Sequence, residues 1–274
     1  GRGRGHPHHR PSGSACPLMS ARRIIYTALP GIPMVNPGDD LSELIDHALK
    51  EADLTLQSGD ILVLAQKIVS KSENRYINLN DISPSERARD IALIVDKDAR
   101  LVEVILSESQ EILRQRKGVL IVVHRLGYIM ANAGVDQSNI DHRDGVERVL
   151  LLPRDPDDTC RRLKTRLDAM SGCNIGVIIN DSFGRPWRNG VTGVALGTAG
   201  IPSLHSLIGQ PDLFGRPLRV SEIAVADELA AGASLVMGQA DEGCPVVHVR
   251  GYVAKAAENS AQALIRPKHM DLFR

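Results

Sequence analysis

Two short stretches combine acids, hydroxyls and bases in a way that suits metal and phosphate chemistry. In "NDSFGRPWRNG", residues 180–190, Asp181 and Ser182 give adjacent hard oxygen donors, while Arg185 and Arg188 flank Trp187, the single tryptophan of the chain. Such oxygens suit Mg2+ or Mn2+, and guanidinium groups suit phosphates or carboxylates. A well-bonded surface turn with an arginine stacked on the indole would use the same residues. In "NAGVDQSNI", residues 132–140, Asp136 stands between a glycine turn and the amides of Gln137 and Asn139. That set fits a divalent ion, and equally an Asx-type turn.

Three more segments are richer in polar groups than a connector needs. "LPGIPMVNPGDD" can shape a rigid rim whose backbone N–H groups face a ligand, or simply lead into a helix. "QKIVSKSE" spaces Lys67 and Lys71 four apart with Ser70 and Ser72 interleaved, a pattern for phosphate contact or for a solvated face. "MGQADEG" brings Gln239, Asp241 and Glu242, either toward a metal or nucleotide or as a solvated helix end. Taken together, separated acids opposite basic groups form the recurring plan of phosphoryl transfer. Metal-dependent transfer to an acid, hydrolysis, and a nucleotide-binding regulatory module all remain open on these residues alone.

The elements that must position these segments can be read from hydrophobic period. "RRIIYTA" opens with a short strand. "DLSELIDHALKEADL" is an amphipathic helix with Asp40 as N-cap and Glu43 completing a capping box. "ILVLA", "GVLIVV", "ERVLLLP" and "NIGVIIN" are buried strands, "VTGVALGTAGI" a glycine-rich one, and "CPVVHVRGYV" a closing strand. Helices are expected from Ser83 or Ser85 through "RARDIALIV", over "DPDDTCRRLKTRLDAM" ending at Gly172, and over "SEIAVADELAAGASLVM". "RLVEVILSES" fits a strand or a short helix. Strands and helices mix without strict alternation, so the expected class is α+β or mixed α/β, not a doubly wound sheet. Two lobes exchanging segments would fit, with no clean boundary after Met19.

The composition is that of an ordinary globular protein: 274 residues, 43% hydrophobic, 24% charged, with formal net charge zero. Zero net charge gives no global attraction to nucleic acid or acidic membranes, and 3% aromatics weakens any base-stacking role. No apolar run approaches the roughly 20 residues of a membrane span. The four cysteines form no C-x-x-C pair, which favours a reduced, cytoplasmic chain. P-loop, dinucleotide-fingerprint, H-E-x-x-H and nucleophile-elbow motifs are absent. Residues 1–18, rich in Gly, Pro, Arg and His, read as a disordered leader or cloning remnant ahead of a unit spanning 19–274.

"LPGIPMVNPGDDL", "GDILVLAQKIVSKSE", "ANAGVDQSN" and "NDSFGRPWRNGVTGVALGTAGI" resemble, in order, the signature blocks of the coenzyme F-420:L-glutamate ligases. The resemblance spans about residues 22–252 and is most specific in "NAGVDQSN" combined with "DSFGRPWR". It implies a GTP-dependent amide ligase that adds L-glutamate, with further γ-linked residues in some members, to the lactyl carboxylate of a deazaflavin precursor through an acyl phosphate. It also implies a divalent metal, Mn2+ or Mg2+, assistance from K+, and an intertwined homodimer outside the P-loop and ATP-grasp classes. The form without a nitroreductase-like domain is expected. By motif, Asp136 and Asp181 match first-metal ligands, and Ser182 and Gln239 second-metal ligands. Leu29, Pro30, Gly31, Ile32, Lys71, Asn139 and the run Met237, Gly238, Gln239, Ala240, Asp241, Glu242, Gly243 and Cys244 match the GTP site. Arg185 and Arg188 are expected to meet an anionic group of a substrate, with Trp187 packing them into place.

Overall fold

The computed structural model describes residues 21–138, 140 and 144–273. The leader reading for residues 1–18 and the assignment of Asn139 lie outside the described residues. In chain order the elements are β1 (Ile25–Ala28), α1 (Leu41–Glu51), β2 (Ile61–Ala65), α2 (Gln66–Ser72), β3 (Tyr76–Asn78), α3 (Glu86–Val95), α4 (Ala99–Ser107), β4 (Ser109–Arg116), β5 (Val119–His124) and β6 (Ile129–Ala131). They continue with β7 (Arg148–Leu150), α5 (Pro156–Ser171), β8 (Gly176–Arg185), β9 (Arg188–Ala199), β10 (His205–Ser206), β11 (Glu222–Ile223), α6 (Val225–Met237) and β12 (Val246–Arg250). The class is mixed α and β, as the irregular alternation implies.

A five-stranded sheet in the order β1-β12-β2-β8-β9 organises the molecule. Its β2–β8 pair is parallel and the other pairs are antiparallel. In β2, Leu62 and Leu64 join one apolar cluster with α1 and α5, while Ile61 and Val63 join another with α6. Both faces are covered, which is why "ILVLA" reads as a continuous apolar run rather than an alternating one. Two further clusters gather around α3, α4, β5 and the β3–β7 pair. Three smaller sheets, β4-β5-β6, β3-β7 and β10-β11, complete the topology.

Local sequence accounts for most element ends. Asp40 accepts the Ser42 N–H at the start of α1, whereas Glu43 lies 3.9 Å from the Arg166 guanidinium. Ser85 caps α3 through the Ala88 N–H, and Gly172 ends α5 in the left-handed region. Two expectations change and one open alternative closes. "QKIVSKSE" is the helix α2, not a loop. "RLVEVILSES" resolves to the helix α4, whose apolar face packs against α3. The stretch "NDSFGRPWRNG" is a β-hairpin: β8 runs through Asp181 to Arg185, turns at Pro186–Trp187 and returns as β9. Strand β4, "SQEILRQR", was not anticipated, because its polar composition carries no period-2 signal.

The glycines of β9 serve helix packing. A Cβ on Gly197 would overlap the Pro156 backbone at the start of α5, and one on Gly193 would overlap Ala230 in α6. Both helices thus touch bare strand. Elsewhere, Glu108 at the end of α4 draws Arg75 to 3.1 Å, Arg125 to 3.0 Å and the buried His124 to 3.4 Å. The His124 Nδ1 accepts the Leu126 N–H, which leaves the Nε2–H facing the carboxylate. Burial would raise the Glu108 carboxyl, but His124, Arg125 and Arg75 overcome it and bring the carboxyl down to about 2. The described cysteines, Cys160, Cys173 and Cys244, are free thiols. No helix among the described residues is long and apolar enough to cross a membrane.

Gly197→Ala is expected to cost about 3 kcal/mol, because the clashing neighbour is backbone and cannot swing away; a urea melt checks it. A carboxylate held below its unfolded value of about 4.3 stabilises above that value and loses its contribution as pH falls toward the folded one. Stability should therefore decline between about pH 5 and pH 2 in the wild type, by on the order of 2–3 kcal/mol from this group. Glu108→Gln should flatten that limb in urea titrations run across the range.

Candidate functional site

The register of the sheet brings four chain segments to one end. β2 stops at Ala65, opposite Asn180 of β8, and α2 begins with the next residue. The Ala65 N–H bonds the Pro245 carbonyl, so the segment before β12 lies at the same rim, and the Leu29 N–H bonds Val246 there as well. β8 alone continues past the rim, leaving the sheet as a two-stranded ribbon with β9. A register shift between Ile179 and Asn180 marks the point of departure, with Leu196 the additional residue in β9. Crevices at the carboxyl ends of parallel strands are the usual ligand sites of such sheets.

The cleft formed there measures about 1570 Å3. Lys67 and Lys71 enter from α2, Asp181, Ser182 and Arg185 from the ribbon, and Met237 through Cys244 from the end of α6 and the segment after it. Asp136 enters from the far side, beyond β6. The backbone reaches it through three left-handed residues, Asn132, Ala133 and Gly134. At Gly134 a side chain would press on Leu152 and Met130 as well, which explains the glycine. Paired backbone bonds with Leu150, 3.0 and 2.8 Å, then fix the Asp136 main chain.

Every oxygen of Asp136 is engaged. Oδ1 accepts the Ser138 N–H at 2.8 Å, and Oδ2 accepts the Ser138 hydroxyl at 2.9 Å while lying 2.6 Å from Lys67 Nζ. These donors hold its carboxyl below the usual range despite burial, which acts the other way. Asp181 behaves oppositely. Burial, together with the Asp136 charge, pushes it up to about 6, although the Ser182 N–H bonds its Oδ1 at 2.8 Å and Lys67 is near. Lys71, only 6% exposed, is lowered by burial and by Lys67, against the pull of Asp136. The cleft floor therefore carries two carboxylates and two ammonium groups at close quarters.

Along β8 the side chains alternate. Phe183 packs on the cluster shared with α1 and α5, and Asp181 senses Asp136 and Lys67 on that side. Asn180 and Ser182 turn toward α6 and its following loop: Asn180 Nδ2 donates to Ser234 Oγ at 3.1 Å, and Ser182 Oγ donates to Gln239 Oε1 at 2.8 Å. The buried Oδ1 of Asn180 has no hydrogen-bond partner among the described residues.

Of the residues singled out by sequence, Asp136, Asp181, Ser182, Ile32, Lys71, Arg185 and 237–244 all line the cleft. Leu29 is wholly buried in the apolar core, and Pro30, Gly31 and Arg188 are not among the lining residues. Trp187 is 87% exposed, and its ring meets Phe273 rather than the arginines. That corrects the expectation that it packs the guanidinium groups. Phe273 and Asp271 reach the cleft from the end of the described chain, a placement that no local pattern signals. Asn180 lines it too, and could have been suspected from a polar amide closing a buried strand.

The profile of the F420-0:gamma-glutamyl ligase family matches residues 31–251. The chain is 46% identical over 246 residues to the coenzyme F420:L-glutamate ligase of Methanothermobacter thermautotrophicus, covering 89% of this chain and 96% of that relative. Relatives of the same name from Methanocaldococcus jannaschii and Archaeoglobus fulgidus are 40% and 38% identical, over 89% and 92% of this chain and 94% and 97% of their own lengths. A match of that extent makes this chain a member of the F420-0:gamma-glutamyl ligase family.

Proposed function

We propose that the protein is a GTP-dependent ligase that joins L-glutamate to the lactyl carboxylate of the deazaflavin precursor of coenzyme F420, extending a γ-linked tail. The observation that carries this reading is the convergence of Asp136, from the segment after β6, and Asp181, from β8, with Lys67 and Lys71 in a single cleft. The names of the relatives, which carry coenzyme F420 and L-glutamate, support that class of acceptor and that amino acid.

The donors suit divalent ions such as Mn2+ or Mg2+. They are all oxygens, the carboxylates of Asp136 and Asp181 for a first ion and the Ser182 hydroxyl and Gln239 amide oxygen for a second. Burial is the main cause of the upward push on Asp181, and the Asp136 charge adds to it. Among the described residues no three His, Cys, Asp or Glu side chains are grouped closely enough to hold a metal ion by themselves. Phosphate oxygens of the nucleotide would therefore complete the coordination. A divalent ion bound there would offset charge developing on the transferred phosphoryl group. K+ is a further activator in this reading.

The protein's own groups hold the reactants. Lys67 and Lys71 meet the GTP phosphates, and the loop 237–244 accommodates the nucleotide. The acceptor carboxylate attacks the γ-phosphorus, GDP leaves, and an acyl phosphate forms. The glutamate amine then attacks the acyl carbon, inorganic phosphate departs, and the amine proton is lost. Arg185, at the cleft wall, pairs with an anionic group of the acceptor or glutamate. Positioning and electrostatics supply most of the rate. The intertwined homodimer expected of the family belongs to the same reading.

Mass spectrometry of wild-type protein with precursor, L-glutamate, GTP, Mn2+ and K+ should show species heavier by one or more glutamyl units. Precursor unchanged while GTP is hydrolysed would remove the proposed acceptor. Asp136→Asn and Asp181→Asn are each expected to lower turnover at least about 100-fold in folded protein; near-wild-type turnover would take that residue out of the site. Ser182→Thr should keep activity and Ser182→Ala lose most of it, as read from initial rates. Equal rates in all three would mean that the hydroxyl coordinates nothing.

A further inference from the structure

Aromatic residues make up only 3% of the chain, yet several gather at this cleft. Phe183 and Phe273 line it. Trp187 packs on Phe273 with ring centroids 6.2 Å apart and planes inclined at 57°. Met34, Ile129 and Val191 add exposed aliphatic surface to the lining of the same cleft. The result is an apolar lip above a charged floor.

Two distant segments build that lip, and both are held in place. Trp187 occupies the hairpin turn with φ of 64°, a left-handed conformation that is strained for a bulky side chain. The tail reaches the lip by a fixed route. Ile265 packs on the core, Lys268 pairs with Glu111 of β4 at 2.9 Å, and the Phe273 N–H bonds Asp271 Oδ1 at 2.9 Å.

We infer that this lip binds the flat conjugated ring of the acceptor, with Phe273 against the ring face and Trp187 backing Phe273. The inference rests on the ligase reading above. An acceptor with a reactive carboxylate at one end and a fused ring at the other needs a charged floor continuous with an apolar wall, and the cleft has both. Apolar side chains recognise a π-face and are indifferent to edge groups. A guanine base is told apart by its edge, and the loop after α6 carries acceptors for such an edge in the carboxylates of Asp241 and Glu242.

Because Trp187 is the only tryptophan, its fluorescence reports on the lip without labelling. Titration with the unglutamylated deazaflavin precursor should quench that emission, with or without GDP present. Phe273→Ala should raise KM for the precursor about tenfold, leaving kcat and the KM for GTP within about twofold. Trp187→Phe, which keeps a ring behind Phe273, should hold KM near wild type. Emission that follows GTP but not the precursor would assign the lip to the base and overturn the inference. Emission that changes on dilution but not with precursor would assign it to a second copy of the chain, with the same consequence. Normal glutamylation with unquenched emission and unchanged KM in Phe273→Ala would overturn the inference while leaving the ligase reading intact. Absence of glutamylation by the wild-type protein would instead defeat that reading, and the inference with it.

Discussion

The parallel pairing of β2 with β8 is the constraint on which the rest of the structure depends. It runs from Ile61 opposite Gly176 to Ala65 opposite Asn180, with apolar side chains buried on both faces. A slip of one residue would exchange the two faces and bring Asp181 onto the side of α6. The pairing also ends where it must. Helix α2 takes over from β2 immediately after Ala65, β8 projects onward unsupported by β2, and Pro245 closes the rim from the other neighbour. The cleft is the space those unequal lengths leave.

Electrostatics sets the second condition. With Lys67 paired to Asp136 and Lys71 buried nearby, the floor is balanced in charge, and burying so many ionisable groups is tolerable only because they compensate one another. Asp181 is the member least well served, and its raised proton affinity is the local expression of that shortfall. Membership of the F420-0:gamma-glutamyl ligase family gives this balance a chemical context, since L-glutamate itself carries charges of both signs.

Much of this was legible in the sequence, for identifiable reasons. Fully buried strands such as "ILVLA" and "NIGVIIN" announce themselves by composition, and Asp40, Ser85 and Gly172 mark helix ends by their side chains or lack of one. Asp136 and Asp181 stood out because each follows an apolar segment. Other features could not be read. α2 is too short for its period to separate from a polar loop. The hairpin around Trp187 was hidden because its strands leave the sheet and so lose the alternation that burial imposes. Phe273 reaches the cleft through tertiary packing of Ile265 and Lys268, and nothing near it in sequence specifies a destination.

The pleat of β8 carries a consequence for stoichiometry. Asp181 and Ser182 are neighbours in sequence, but a strand sends consecutive side chains to opposite faces, and here one faces Asp136 while the other faces Gln239. A single small cation has a coordination radius of about 2 Å and cannot be shared across a strand's backbone in that way. If both residues are ligands, they serve different ions, and the number of ions bound follows from the parity of residue positions along one strand.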